Sequence, residues 1–417
     1  MTLDNTQKRS LLRRIAIWAV LMIVPAFLMI MVEYRNMGSF GHQTPDARVY
    51  ISIADNFTTT GHFIQTDRAV DGLVVPPGCP LFLTVFRLLH FSDRMIIAMQ
   101  ILMFGLCNIM LYETERRITG KGGWAPVFYT MAYMRCWVGL GIFLAEHYYL
   151  FLLCLALWVV YQNFSEKKKV ISLNIIGLLM MITRPLLTPV YLTILAYSLY
   201  WCFRNKKALA AAGLVLLPIV VLAVNMAVNY RETGEYILLE NYSGSDMYTA
   251  TRLHSPVRIE EAEEFMDETY IRICEDDSLT QSQRNAEFKA LAKENLQDHF
   301  GLYLYNGLVR GHEIFLRAYA WTTLYTLLGG ILLSRKERQR GNLRSTCVLI
   351  LTLLLAAMSS FGVSEVRYSM VIWPMASLHG AYLTHLICKT LLTKIHFEKQ
   401  PEKDDRNESE RDSIDCS

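Results

Sequence analysis

Long apolar stretches recur along this sequence and constrain its fold more than any other feature. Most reach or approach the roughly 20 residues that a helix needs to cross a hydrocarbon core. Helices satisfy every backbone group within their own segment, as a membrane interior requires. We therefore predict an all-α, polytopic bundle of about ten transmembrane helices. The stretches cover residues 15–32, 95–112, 124–144, 148–161, 170–182, 186–203, 208–228, 317–333, 345–361 and 368–387.

Composition and the position of basic residues predict how this bundle is oriented. The chain is 53% hydrophobic with a mean hydropathy of +0.24, above what soluble proteins normally carry. Lys and Arg cluster in every second loop, and such loops tend to stay in the cytoplasm. We predict a multi-pass protein of the plasma (inner) membrane, with both termini cytoplasmic and residues 34–93 and 229–316 outside. The membrane domain spans residues 1–395, and residues 396–417 form a disordered cytoplasmic tail.

The second outer loop is strongly acidic although the whole chain carries a net charge of +3. Residues 229–316 contain 17 Asp and Glu against 8 Lys and Arg, so a nucleic-acid surface is not indicated. Amphipathic helices are predicted at 258–274 and 280–299, the second opening on a Thr280 to Gln283 capping box. Nine cysteines show no zinc-binding spacing; Cys79 and Cys274 fall on the outer side, where two unpaired thiols are favoured over a disulfide.

The first outer loop contains the most distinctive local pattern. Apolar residues at helical spacing after Thr44 predict a short interfacial helix that ends near Gly61. Asp46 lies at its start, where it either caps the helix or acts as a general base or metal ligand. Residues 75–84 contain three prolines and a glycine before an apolar run too short to span, which is typical of a re-entrant or interfacial element.

These features together resemble a known family. An Asp after the first membrane helix, a Tyr on the next helix, and then Pro-Pro-Gly-x-Pro-Leu-Phe are similar to the first-loop signature of GT-C glycosyltransferases, in particular the protein-mannosyltransferase-like, bacterial polyprenyl-phosphate-sugar-dependent branch. Further segments resemble the family's later outer-face motifs in the same order. They are residues 144–150, 183–185, 228–236, 241–244 and 365–368.

The resemblance implies an inverting glycosyltransferase of the hexosyl or pentosyl class. Its donor is a polyprenyl-phosphate-linked sugar, and its acceptor is an extracytoplasmic glycan, lipid or protein. The implied catalytic acids are Asp46 and Glu146, which are also the candidate ligands of a divalent metal, Mg²⁺ or Mn²⁺. The implied donor-phosphate residues are Arg184, Arg231, Arg367 and Tyr368, and the implied substrate-loop residues are Tyr50, Pro76, Pro77 and Asn241.

Other interpretations stay open at this point. Arg184 and Arg367 also fit a structural role as membrane-interface anchors. The chain has Val75 where several relatives carry a Lys, and it lacks the family's frequent C-terminal soluble domain. The main alternatives are a transporter or flippase of lipid-linked saccharides, a polymerase or ligase of the same substrates, and a non-catalytic membrane partner.

Overall fold

The computed structural model of the chain describes residues 5–41, 43–65, 73–135, 139–252, 267–317, 320–361 and 366–398. Within these ranges the secondary structure is entirely helical. The α-helices are α1 (Asn5–Met37), α2 (Pro45–Thr60), α3 (Gly78–Leu88), α4 (Asp93–Thr119), α5 (Trp124–Arg135), α6 (Ala145–Tyr161), α7 (Glu166–Thr183), α8 (Thr188–Arg204), α9 (Ala208–Thr233), α10 (Ser243–Thr251), α11 (Glu268–Glu275), α12 (Gln281–Gly311), α13 (Ala320–Gln339), α14 (Arg344–Phe361) and α15 (Trp373–Glu398). Short 3-10 helices cover Pro185–Leu187 and Val366–Ile372, and a π-helix covers His312–Arg317.

The apolar composition of several helices fits a membrane-embedded protein. Five helices in the described part of the chain are long and apolar enough to cross a membrane. These five account for half of the ten crossings that the hydropathy predicts; the other predicted spans fall on helices that are shorter or less uniformly apolar. The five are Arg9–Asn36, Asp93–Thr119, Pro185–Arg204, Ala208–Thr233 and Arg344–Phe361.

One apolar stretch, residues 124–144, is not a continuous helix. Helix α5 ends at Arg135, and residues 139–144 are non-helical. The backbone N–H of Gly141 donates to the Glu33 carboxylate at 2.9 Å, and the N–H of Phe143 donates to the Gln43 side chain at 2.9 Å. Because these partners lie about 100 residues away in sequence, an apolar pattern could not reveal that they hold this backbone outside a helix.

Helices α4 and α6 lie at the centre of the largest core, packed against α5, α7 and α15. Aromatic rings fill much of it: the Phe104 and Tyr133 ring centres are 4.7 Å apart. Helices α13 and α15 approach so closely that a Cβ added at Gly329 would lie 2.0 Å from the carbonyl oxygen of His379. Small residues permit this backbone approach, which is the usual way that helices associate in membranes.

Local signals in the two long loops that are predicted to lie outside, residues 34–93 and 229–316, are confirmed where the structure describes them. Helix α2 ends at Gly61, whose φ of 79° favours glycine. Thr280 and Gln283 form the predicted capping box, but α12 continues well beyond 299, with non-helical backbone at His299. Helix α11 matches the end of the predicted helix 258–274. Residues 253–266, and the tail beyond Glu398, lie outside the described residues.

Basic side chains from several predicted cytoplasmic loops gather at one end of the molecule. Arg14 of α1 and Arg116 of α4 both contact the carboxylate of Glu113, at 2.8 and 3.0 Å. Arg344, at the start of α14, lies 3.9 Å from Glu166 at the start of α7. Helix α4 places its other end, Asp93, about 40 Å away at 1.5 Å per residue. The first predicted outer loop lies at that second end, because Arg87 contacts Asp93 at 2.7 Å and Asp55 at 2.8 Å.

Candidate functional site

Helix α2 contributes Asp46, the first predicted residue of the candidate site along the chain. The N-cap of this helix is Thr44, whose hydroxyl accepts the Ala47 N–H at 3.4 Å, so the capping role weighed for Asp46 belongs to Thr44. Asp46 follows in the first turn and is exposed to solvent. Tyr50 lies one turn later and is buried. The helix therefore presents an accessible carboxylate beside a buried phenol.

The chain entering α2 is tied to the chain entering α6. The Gln43 side-chain amide donates to the carbonyl oxygen of Gly141 at 2.8 Å and accepts the Phe143 N–H at 2.9 Å. Gln43 lies three residues before Asp46, and Phe143 lies three residues before Glu146. Since both acids are in the first turns of their helices, these bonds hold the two first turns beside each other.

A third carboxylate, Glu33 at the end of α1, fixes the same junction. It is 3% exposed and accepts the backbone N–H groups of Gly41 at 3.1 Å and Gly141 at 2.9 Å. A Cβ at Gly139 would lie 2.6 Å from the Glu33 carboxyl carbon, and one at Gly141 would lie 2.7 Å from its oxygen. Glycine is required at both positions for the backbone to approach this carboxylate. Glu33 was not predicted as a site residue, since its only local signal is a charge at the end of an apolar span.

The Pro-Pro-Gly segment brings α3 against the end of α7, where Arg184 is located. Pro76 and Pro77 are both buried. A Cβ added at Gly78 would lie 2.3 Å from the hydroxyl oxygen of Thr183, so only glycine permits this contact. Arg184 is the C-cap of α7 and is half-buried. The segment thus positions Arg184 next to the start of α3.

The environment of Tyr50 indicates which charged residues lie together. Burial raises the pKa of the Tyr50 hydroxyl well above its usual range. Cys79, Glu146 and Asp46 reinforce this rise, while Arg184 opposes it. These four side chains, contributed separately by α2, α3, α6 and α7, therefore lie within electrostatic reach of one phenol. Three of them, Asp46, Glu146 and Arg184, are predicted site residues.

Glu240 is a further acidic residue of this site that sequence analysis missed. Burial raises the pKa of its carboxyl, although the hydroxyls of Tyr242 and Ser243 donate to it and Arg184 and Lys289 lie within electrostatic reach. Burial likewise raises the pKa of the Tyr242 hydroxyl well above its usual range. A shifted carboxyl beside an arginine is a common property of functional sites. Its sequence signal was an acid directly after the apolar residues 237–239.

Asn241, predicted in the substrate loop, holds the loop in place. Its side-chain oxygen accepts the Val74 N–H at 2.8 Å, and its own N–H donates to the Val74 carbonyl oxygen at 3.2 Å. Its side-chain amide also donates to Ser282 at 3.3 Å. Asn241 is 2% exposed. It therefore joins the segment before Pro76 to the loop that carries Glu240 and to the start of α12.

The remaining predicted residues are not part of this cluster, or their side chains lie outside the residues that the structure describes. Arg231 donates to the carbonyl oxygen of Gly61, at the opposite end of α2 from Asp46, about 24 Å along a helix of this length. The 3-10 helix that contains Arg367 and Tyr368 packs against α6 and α15, but the side chains of these two residues lie outside the described part of the chain. Cys79 and Cys274 are unpaired, the first buried and the second exposed.

The donor set of the site does not match a typical metal centre. Among the described residues, no three His, Cys, Asp or Glu side chains are arranged to hold a metal ion. Divalent cations such as Mg²⁺ need several oxygen ligands, and here the cation Arg184 already lies within electrostatic reach of the neighbouring Tyr50 and Glu240. We therefore assign no step of the chemistry to a metal at Asp46 and Glu146.

The arrangement combines an accessible carboxylate with a buried carboxylate and a guanidinium. Such a set can take a proton from a hydroxyl and stabilise a leaving phosphate. Comparison of the chain with protein-family models, with curated proteins and with solved structures found no match to any of them.

Proposed function

We propose that this protein is an integral membrane glycosyltransferase of the GT-C type, which transfers a sugar from a polyprenyl-phosphate donor to a hydroxyl acceptor outside the cytoplasm. The observation that carries the proposal is that the Gln43 bonds hold the start of α2 beside the start of α6, with Asp46, Glu146 and Arg184 all within electrostatic reach of Tyr50. Three elements far apart in sequence contribute these residues, and each matches a position that the family resemblance assigns to the site.

The proposal includes ten membrane crossings with both termini in the cytoplasm. Helices α6, α7, α13 and α15 would supply four of the crossings beyond the most apolar five, and the apolar stretch 124–144, of which α5 is the helical part, would supply the fifth. Support comes from the gathering of basic residues at one end of the bundle, where Arg14 and Arg116 share Glu113. The candidate site lies at the other end, which this orientation places outside the cytoplasm.

In the proposed reaction, an oxygen of the Asp46 carboxylate takes the proton of the acceptor hydroxyl. The acceptor oxygen attacks the anomeric carbon from the face opposite the phosphate. The bond between that carbon and the phosphate oxygen breaks, and its electron pair stays on the polyprenyl phosphate. Arg184 stabilises the charge of the leaving phosphate, because a guanidinium bonds phosphate oxygens with two parallel N–H groups. Glu146, buried beside Asp46, orients the acceptor.

Substitution of Asp46 tests this proposal with a matched control on the same helix. We expect Asp46→Asn to accumulate normally, because Thr44 and not Asp46 caps α2. Loss of a general base commonly lowers the rate by about 10²–10⁴-fold, so this variant should not restore glycan modification in a strain that lacks the gene. Asp55→Asn removes an acid from the same helix whose partner is Arg87, and it should restore modification.

Two outcomes would contradict the proposal. Full complementation by Asp46→Asn would remove this residue from the chemistry. Equal loss of modification in Asp46→Asn and Asp55→Asn, at equal protein levels, would show that helix α2 tolerates no charge change and that Asp46 has no special role.

A further inference from the structure

A cavity lies at the end of the molecule opposite to the candidate site. Its volume is about 490 Å³, and it opens between the ends of α4, α13 and α15. Thr119 and Lys121 line it from the end of α4, Lys336 from α13, and Tyr382 and His385 from α15. The basic loops place this end of the bundle at the cytoplasmic face in the proposed orientation. No residue of the candidate site contributes to the cavity.

The lining is rich in lysine and contains no carboxylate. Lys121, Lys336 and Lys389 come from three separate elements, and within the described residues none of them forms an ion pair. The ammonium nitrogen of Lys336 lies 5.1 Å above the ring centre of Tyr382. Three cations converging on one cavity repel each other unless an anion joins them, and the cavity is large enough to admit one.

Two acids near this cavity already have other partners, and the first of them, Glu337, accepts a hydrogen bond from the Asn342 side chain at 2.6 Å. Glu115 is 1% exposed and accepts the backbone N–H groups of Gly123 at 2.8 Å and Ala125 at 3.0 Å. It also bonds the Nε2 atom of His385 at 2.8 Å. Its role is therefore to hold the start of α5 and the middle of α15, and it is turned away from solvent.

We propose that the cavity binds the phosphate head group of an acidic phospholipid from the cytoplasmic leaflet. Basic pockets between transmembrane helices on this side of a membrane suit such head groups. The lining also includes Leu386 and Leu392, and Leu391 beside them is 55% exposed, so apolar side chains are available to the glycerol and upper acyl chain. A soluble anion such as inorganic phosphate has no acyl chain to pack against these leucines. A lipid bound here joins α4, α13 and α15.

Lipid binding by the full chain in detergent tests the proposal. We would measure binding of phosphatidylglycerol and of phosphatidylcholine by native mass spectrometry. Replacing Lys121, Lys336 and Lys389 together with Gln should weaken phosphatidylglycerol binding on the order of a hundredfold, since each Lys near an anionic lipid contributes roughly fivefold. The matched control replaces Lys167, Lys168 and Lys206, three exposed lysines of the same predicted face outside the cavity. This control should bind as the wild type does.

A second measurement on the wild-type chain does not depend on the variants' folding. Cys388 lines the cavity and is exposed, while Cys347 is exposed on α14 outside it. Phosphatidylglycerol should slow maleimide labelling of Cys388 and leave Cys347 unchanged. Unchanged binding by the cavity variant, absence of protection at Cys388, or displacement of the lipid by excess inorganic phosphate would each overturn the proposal.

Discussion

The two ends of α2 each place an arginine beside acidic residues, but the two arrangements differ. At the C-terminal end, the Nε atom of Arg231 donates to its sequence neighbour Glu232 at 2.8 Å, and Arg231 also holds the Gly61 carbonyl oxygen at 2.8 Å. Arg231 is exposed. Glu232, whose side chain is 3% exposed, also bonds the Nδ1 atom of His62 at 2.9 Å, so one acid is shared by two basic residues in a structural contact.

At the N-terminal end, three acids from three elements lie in the surroundings of the half-buried Arg184, and Lys289 is a second cation within electrostatic reach of one of them, Glu240. Asp46, Glu146 and Glu240 come from α2, α6 and the loop before α10, and Arg184 comes from the end of α7. Bringing like charges together in a partly buried place is costly unless a ligand or a reaction uses them. The comparison indicates that charge balance, more than the presence of an arginine, distinguishes a site from a structural contact.

Replacing the two arginines tests this distinction most strongly. We expect Arg184→Ala to raise the KM for the lipid-phosphate donor roughly 10- to 100-fold, because a hydrogen bond to a charged group contributes about 1.5–3 kcal/mol. Arg231→Ala is the matched control and should leave KM nearly unchanged. Steady-state kinetics at equal protein levels measures both. A larger increase of KM in Arg231→Ala than in Arg184→Ala would place the donor at the C-terminal end of α2 and would contradict our proposal.

Glu33 tests whether the backbone junction beneath the site matters for stability. Glu33→Gln keeps the shape of the side chain but replaces charge-assisted bonds to Gly41 and Gly141 with weaker ones and aims an N–H₂ group at backbone N–H groups. We expect a destabilisation of roughly 1.5–3 kcal/mol. Thermal unfolding in one detergent measures it, with Glu294→Gln, at an exposed position on α12, as control. An equal midpoint for both variants would contradict this assignment.

Thr44 separates the folding of α2 from the chemistry of Asp46. Thr44→Ala removes the N-cap acceptor and should cost about 0.5–1 kcal/mol of stability, since the bond it removes is long at 3.4 Å. Transfer activity should stay close to that of the wild type. Unfolding midpoints and activity, measured on the same preparation, report the two effects. If Thr44→Ala lost as much activity as Asp46→Asn, both substitutions would have to act by disturbing helix α2, and Asp46 would have no separate chemical role.

Glu240 has the smallest expected effect, and this effect depends on pH. Burial raises the pKa of the folded-state carboxyl, so its contribution to stability is fully present below the unfolded pKa of about 4.3 and is lost as pH rises through the raised value. The Glu240→Gln variant has no ionisable carboxyl at this position, so it does not lose this stability as pH rises. Unfolding midpoints measured upward from about pH 4 should therefore move in favour of the variant as pH rises. A difference that stays constant with pH would contradict the shift.

Local features of the fold could be predicted from the sequence. The bounds of α2, the capping box at Thr280 and a short element after the prolines follow from residues within a few positions of each other. The apolar stretches predicted an all-helical chain. The break at residues 139–144 could not be predicted, because it depends on Glu33 and Gln43, the latter 98 residues from Gly141.

The candidate site was predicted only in part, for the same physical reason. Asp46, Glu146 and Arg184 were assigned through family resemblance, since no local pattern states that they meet. Glu33 and Glu240 were missed because their partners, Gly141 and Arg184, lie far away in the sequence. Arg231 matched a motif position, yet the structure places it at the other end of α2.

Donor turnover by the purified protein tests the central claim most directly. Vesicles containing the full chain, a radiolabelled polyprenyl-phosphate sugar and an extract of envelope acceptors would be assayed for release of polyprenyl phosphate. We predict turnover by the wild type and by Asp55→Asn, and a rate lower by about 10²–10⁴-fold for Asp46→Asn. Turnover by Asp46→Asn at the wild-type rate would contradict the assignment of the site and of its chemistry.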